Sequence, residues 1–131
     1  MKIACRFFAL GLCAIVLAGC APQDKLCTEI GFTNTVIVNV VGDAPVDGLT
    51  WCVSGECSAE TTFEARPLGD GAWVVETPMS TPPVITVAAL DASGGSIATE
   101  DVSVEWVGTD EPNGPGCDNV SEAEPVTVTL P

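Results

Sequence analysis

The amino-acid sequence predicts an all-β protein, an antiparallel sandwich of about seven strands in two sheets that follows an N-terminal signal helix. Three observations carry this prediction. After the signal segment no window shows an apolar period of 3.6 residues, Val and Thr are abundant, and turn-forming stretches recur every ~8–12 residues. The 13 glycines and 10 prolines among 131 residues supply those turns. A chain of this length forms at most one globular domain, and its hydrophobic content of 47% is too high for a disordered acidic chain.

The strands are predicted from alternating apolar residues between turns. In the first strand the three valines between positions 36 and 40 share one face. Residues 84–90 are apolar on both faces, which predicts a central strand. A later alternation places Val102, Val104 and Trp106 inward. The predicted strands are residues 34–41, 49–53 with a return arm at 56–65, 72–77, 84–90, a strand that ends at Trp106, and 126–130.

The first residues have the pattern of a secretory signal peptide. Lys2 and Arg6 give a positive start, and residues 7–18 form an apolar run that is shorter than the about 20 residues a spanning helix needs. The run ends in Leu17-Ala18-Gly19-Cys20, which resembles the lipobox of bacterial lipoproteins. The resemblance implies removal of residues 1–19, a lipid on Cys20, a short tether within residues 20–26, and a disulfide-stapled sandwich domain over residues 27–131. Ordinary secretion, with Cys20 as a simple thiol, is the alternative.

The charge of the chain excludes several classes of partner. The net charge is −14, and residues 20–131 keep only Lys25 and Arg66 against 18 acidic residues, which leaves −16. Nucleic-acid binding is excluded because it needs many Lys and Arg residues, and anionic lipids repel such a domain. The lipid on Cys20 is therefore the predicted attachment, at the extracytoplasmic face of the cell membrane. The six-residue tether reaches at most about 20 Å, which keeps the domain near the membrane.

Four cysteines remain for the folded part, and an even number in a small exported domain predicts two disulfides. Ser54-Gly55 has the spacing of a two-residue hairpin turn, which places Cys52 opposite Cys57 with Cα atoms about 4.5 Å apart. Cys27 and Cys117 then pair by elimination. A wider turn would instead direct Cys52 and Cys57 to different partners. A four-thiolate zinc site is the other alternative, although the paired spacing it needs occurs only once.

Part of the chain resembles known envelope modules. The alternating valines of residues 36–40, the Asp-Gly loop at 43–48 and the turn Gly69-Asp70-Gly71-Ala72-Trp73 resemble carboxypeptidase-regulatory-like and related Ig-like or transthyretin-like domains. The stretch at residues 112–117 is similar to stretches in actinobacterial lipoproteins of unassigned role. In this chain the loop order differs from that of the modules, and Trp73 stands where they have Tyr or Phe. The resemblance implies an Ig-like or transthyretin-like sandwich.

Few residues are candidates for chemistry. The chain has no His, which excludes Ser-His and Cys-His catalysis. Ser-Lys catalysis would need Lys25, which lies in the tether. No enzyme and no cofactor are therefore predicted. Among metal ions, calcium fits this acidic chain best, because it binds oxygen donors. Trp51, Trp73 and Trp106 could form a sugar-binding platform, although tryptophans on the strands of a small sandwich usually belong to the core. The calcium candidates are Asp110, Glu111, Asn113 and Asp118, with Asn119 in the same loop and Asp43 and Asp47 in another.

Two functions fit these observations. The first is a lipid-anchored, non-catalytic binding or interaction module that takes an envelope protein or a carbohydrate, and it predicts an exposed apolar patch with an acidic rim. The second is a structural or accessory envelope protein without a ligand site, which calcium could stabilise. The acidic side chains would then only keep an exported protein soluble.

Overall fold

The computed structural model describes residues 26–131, which fold as an all-β sandwich of ten strands in a six-stranded and a four-stranded sheet. The predicted fold class is confirmed, although the structure has ten strands where the sequence predicted about seven. Within this range no helix has the length and apolarity to cross a membrane. The predicted signal segment, Cys20 and Lys25 lie outside the described residues. The strands are β1 Thr33–Val41, β2 Gly48–Val53, β3 Phe63–Glu64, β4 Arg66–Gly69, β5 Ala72–Pro78, β6 Val84–Leu90, β7 Ser96–Ser103, β8 Trp106–Asp110, β9 Val120–Ala123 and β10 Val126–Thr129.

The first sheet is built around β1, in the order β4-β5-β1-β9-β8 with β10 also on β1. The alternation of β1 is confirmed, because Val36 and Val38 are fully buried against the second sheet and Val40 is half-buried. β5 pairs with one edge of β1 antiparallel, whereas β9 and β10 follow one another along its other edge and run parallel to it. Pro125 lies between them and lacks the N–H that would continue the pairing. The fully antiparallel arrangement expected from the sequence is wrong at these two pairings.

The second sheet has the order β3-β2-β6-β7. The prediction of a central strand at residues 84–90 is confirmed, since β6 pairs with β2 on one side and β7 on the other. Ile85, Val87 and Ala89 are fully buried on the face of β6 that meets the first sheet. The apolar inner faces of the two sheets thus form the core that the alternating pattern requires.

The predicted return arm at residues 56–65 is wrong over most of its length, because only Phe63–Glu64 forms a strand, which does pair antiparallel with β2. Residues 56–62 have no alternating apolar residues, and the hydroxyl groups of Thr61 and Thr62 bond to nearby backbone. Thr62 Oγ1 donates to the Ser58 carbonyl over 2.6 Å, and the Ser58 N–H donates to Thr61 Oγ1 over 2.9 Å. Such local side-chain bonds compete with strand pairing and favour a compact loop.

The predicted strand through Trp106 is also corrected. β7 ends at Ser103 in the second sheet, the Val104 N–H donates to the Pro83 carbonyl, and Trp106 begins β8 in the first sheet. Val102 and Val104 are buried and Trp106 is half-buried, so the inward alternation continues while the chain changes sheets. Both sheets face the same core, and an alternating pattern therefore cannot show where a strand passes from one to the other.

β1 runs along the sandwich for nine residues, about 30 Å, so its two ends mark the two ends of the sandwich, which carry different loops. We call the end where β1 begins the N-terminal end and the end where β1 finishes the far end. At the far end the Val40 N–H donates to the Gly71 carbonyl. Gly71 has φ +76° and a Cβ there would lie 2.9 Å from the Val40 carbonyl oxygen, while a Cβ at Gly42 would lie 2.6 Å from the Cβ of Leu130. Both positions therefore require glycine.

Candidate functional site

Both predicted cysteine pairs are disulfide-bonded in the structure. Cys27 and Cys117 have Cα atoms 5.9 Å apart and Cys52 and Cys57 have Cα atoms 5.3 Å apart, within the range that disulfides span. The Glu56 N–H donates to the carbonyl of Val53, which closes the expected tight turn. The turn alone, without the predicted return strand, brings Cys52 and Cys57 together.

Asn113 fixes the N-terminal segment to the loop between β8 and β9. It is buried, its Oδ1 accepts from the Ile30 N–H over 2.7 Å and from Thr28 Oγ1, and its Nδ2 donates to the Ile30 carbonyl over 3.1 Å. With the neighbouring Cys27–Cys117 bond, this holds the start of the described chain at the N-terminal end. No sequence signal could reveal it, because the partners are 83 residues apart and a buried amide resembles a surface one in the sequence.

The four calcium candidates do not converge on one site. Asn113 uses its side chain on Ile30, and Asp118 lines a different groove from the one that holds Asp110 and Glu111. Asp110 Oδ1 accepts from the Glu111 N–H, and Glu111 Oε1 accepts from the backbone N–H of Gly116 over 2.6 Å. Among residues 26–131 no three acidic or cysteine side chains are grouped so that they could hold a metal ion. The acidic residues of this loop instead organise their own backbone.

A groove of about 500 Å³ lies beside this loop and the edge strand β8. The groove is open and its lining is polar. Besides Asp110 and Glu111, Asn119 is the one predicted calcium candidate that lines it. It is lined by Gly108, Thr109, Asp110, Glu111, Pro115 and Asn119.

The tryptophans do not form an exposed platform. Trp51 and Trp73 retain 4% and 8% of their accessible surface, and Trp51 packs on Phe63 with ring centroids 5.2 Å apart. Trp106 is half-buried, and its indole Nε1 donates to the carbonyl of Pro82 over 2.8 Å. A sugar platform needs exposed aromatic faces, so these three side chains serve the core as tryptophans in a sandwich commonly do.

The far end carries three connected grooves. The first, about 270 Å³, and the second, about 250 Å³, share Pro67 and Trp73. The third, about 400 Å³, shares Val46 with the first and Asp47 with the second and extends to Asp91. We call this surface, defined by Val46, Asp47, Pro67, Trp73 and Asp91, the far-end cleft.

Carboxylates surround the far-end cleft. Asp47, Glu64 and Asp91 line it. Arg66 is the only basic residue of the described chain, and its Nη2 lies 3.4 Å from Oε1 of Glu76. The side chain and backbone N–H of Ser93 and the backbone N–H of Gly95 donate to Asp91, and these hydrogen bonds lower the pKa of its carboxyl group.

The sequence indicated only parts of this surface. Asp47 was a weak calcium candidate, and the residues around Val46 and Gly69–Gly71 were recognised as turns. The cleft itself forms because loops far apart in sequence meet, as where the Asp47 N–H donates to the carbonyl of Leu90. No protein-family model, curated protein or solved structure matches this chain.

Proposed function

We propose that this chain is a lipid-anchored protein of the cell envelope and that its sandwich is a non-catalytic interaction module at the extracytoplasmic face. The lipobox Leu17-Ala18-Gly19-Cys20 supports the lipid anchor, and the two disulfides support export, because disulfides persist in oxidising compartments. The sandwich architecture is consistent with the Ig-like resemblance of the sequence.

One observation carries the interaction role: the start of the described chain and the far-end cleft lie at opposite ends of the sandwich. The Cys27–Cys117 bond and Asn113 hold the chain at the N-terminal end, seven residues after Cys20. The cleft opens at the other end of β1, about 30 Å away. A module anchored in this way presents its cleft away from the membrane, where an envelope partner can reach it.

The described carboxylates support a non-catalytic role. A catalytic acid near neutral pH needs a carboxyl group whose pKa is raised by burial. In residues 26–131 no Asp or Glu is buried, and the pKa of Asp91 is moved downward instead. These groups are suited to attract cations and basic partners rather than to transfer protons.

Acyl labelling tests the anchor. Cells that express the protein are fed a clickable fatty acid, and wild type is compared with Cys20→Ser and with Cys13→Ser, a control within the signal segment. Wild type and Cys13→Ser are expected to carry label and fractionate with membranes, whereas Cys20→Ser loses both. Equal labelling of Cys20→Ser would contradict the proposal.

Photo-crosslinking in intact cells tests the interaction role. A photoreactive amino acid is placed at Leu68, which is 50% exposed on β4, or at Val107, which is 63% exposed on β8. We expect discrete protein adducts from position 68 and none of the same adducts from position 107. If neither position yields adducts, or both yield the same ones, the sandwich is an accessory envelope domain without a partner at this end.

A further inference from the structure

We propose that the far-end cleft binds an extended basic segment of an envelope protein, with aliphatic or proline side chains in the grooves and Lys or Arg side chains on the acidic rim. The position of this surface relative to the membrane rests on the proposed function, but its chemistry does not.

The shape of the cleft fits an extended chain. Its three grooves join through shared residues, and Trp73 and Pro67 form the wall between the first and second. Each groove, at about 250 to 400 Å³, is large enough for one or two side chains rather than a whole cofactor. Consecutive side chains of one extended segment can therefore enter neighbouring grooves.

The apolar part of the lining sets the side chains that bind. Val46 is half-buried, Trp73 is largely buried and Pro67 is exposed, so the grooves are shallow and only partly apolar. Burying an aliphatic side chain in such a groove is favourable in proportion to the apolar area removed from water.

The charge of the rim sets the sign of the partner. Asp47, Glu64 and Asp91 line the cleft, and Asp43 and Asp70 lie in the adjoining turns. The sole basic residue of the described chain, Arg66, is directed to Glu76 and leaves these carboxylates uncompensated. A basic segment is attracted by this field and an acidic one is repelled.

Two other modes of recognition fit less well. The edge strand β4 beside the cleft contains Pro67, which has no N–H to donate, so strand addition is blunted there. Stacking of a sugar ring needs an exposed aromatic face, and Trp73 retains only 8% of its surface. Side-chain slots and charge remain as the means of binding.

The test uses three labelled nine-residue peptides, (Lys-Pro-Leu)₃, (Glu-Pro-Leu)₃ and (Lys-Gly-Ser)₃, with full-length protein purified from membranes in detergent micelles. Binding is measured by fluorescence anisotropy and mapped by amide and indole shifts in NMR spectra. We expect (Lys-Pro-Leu)₃ to bind best, to shift Val46, Asp47, Asp91 and the Trp73 indole, and to bind more weakly in high salt.

Matched variants separate the far-end cleft from general acidity. Asp47→Asn and Asp91→Asn are expected to weaken (Lys-Pro-Leu)₃ binding about two- to fivefold each, the range of exposed ion pairs. The controls Glu111→Gln and Asp118→Asn, at the N-terminal end, are expected to leave it unchanged. Thermal melts verify that all four variants fold.

The outcomes are decisive in both directions. Equal weakening by the far-end and control variants would show attraction to a polyanion and overturn the proposal, as would equal binding of (Lys-Gly-Ser)₃. The absence of shifts at the cleft with millimolar (Lys-Pro-Leu)₃ would also overturn it, and shifts there with a chitin tetrasaccharide instead would assign the cleft to sugar. Measuring Cys20→Ser in parallel separates the two proposals, since an acyl label that Cys20→Ser retains, together with intact peptide binding, rejects the anchor alone.

Discussion

Removal of the Cys27–Cys117 disulfide should destabilise the sandwich more than removal of Cys52–Cys57. The first bond closes a separation of 90 residues and the second a separation of 5. In the chain-entropy treatment these correspond to about 4.6 and about 2 kcal/mol of unfolding free energy. Cys52 is buried, so its truncation to Ala adds about 1 kcal/mol for the cavity, which reduces the expected difference to about 1.5 kcal/mol.

The measurement is urea unfolding of Cys27→Ala/Cys117→Ala and Cys52→Ala/Cys57→Ala, followed by the fluorescence of the buried tryptophans. With an m-value of about 1.5 kcal/mol per molar urea, the midpoints should fall by about 3 M and about 2 M respectively. If Cys27→Ala/Cys117→Ala is already unfolded without urea, this also agrees with the prediction. Its unfolding transition can then be measured in sucrose, which stabilises the folded state. Equal midpoints, or the reverse order, at an unchanged m-value would refute the reasoning.

Four further predictions follow from side-chain contacts. Asn113→Ala should lower the unfolding free energy by about 2 kcal/mol because it leaves the Ile30 N–H without its acceptor, and faster amide exchange at Ile30 would be the direct sign. Asn34→Ala should cost about 2–3 kcal/mol, since this fully buried amide donates to Ser80 and accepts from Ser121, and a loss below about 0.5 kcal/mol in a thermal melt would contradict it. The melting midpoint should be the same with calcium as with chelator, because the carboxylates of the described residues do not come together at one metal site. A higher midpoint with calcium would restore the calcium hypothesis. The Asp91 carboxyl should titrate below its ordinary pKa of about 3.9 in an NMR titration. Because folding lowers this pKa, the stability that Asp91 contributes is complete above the ordinary pKa. It is lost as the pH falls through the pKa of the folded state. A midpoint at or above about 3.9 would contradict this.

The far-end cleft was beyond the reach of the sequence for a specific reason. Val46 and Asp91 lie in two separate loops and Pro67 lies in the short strand β4. Nothing in the local pattern distinguishes a turn or short strand that lines a groove from one that merely connects other elements. The same holds for Asn113, whose position among acidic residues suggested a cation ligand. Its amide is instead consumed by backbone groups of Ile30.

The sequence by itself determined the fold class, the inward face of β1, the central position of β6, and the cysteine pairs. These depend on local physics: a period of two residues places valines on one face, and a short turn brings Cys52 to Cys57. Cys27 and Cys117 then followed as the remaining pair.

Only the tertiary structure decided which strands are neighbours. The parallel placement of β9 and β10 on β1, the passage from β7 in one sheet to β8 in the other, and the loss of the return arm after Cys57 all depend on partners distant in sequence. An alternating strand specifies the face it buries but not the edge it pairs with, because backbone N–H and C=O groups are the same in every residue except proline. The surfaces where a partner could bind arise from that choice of edges.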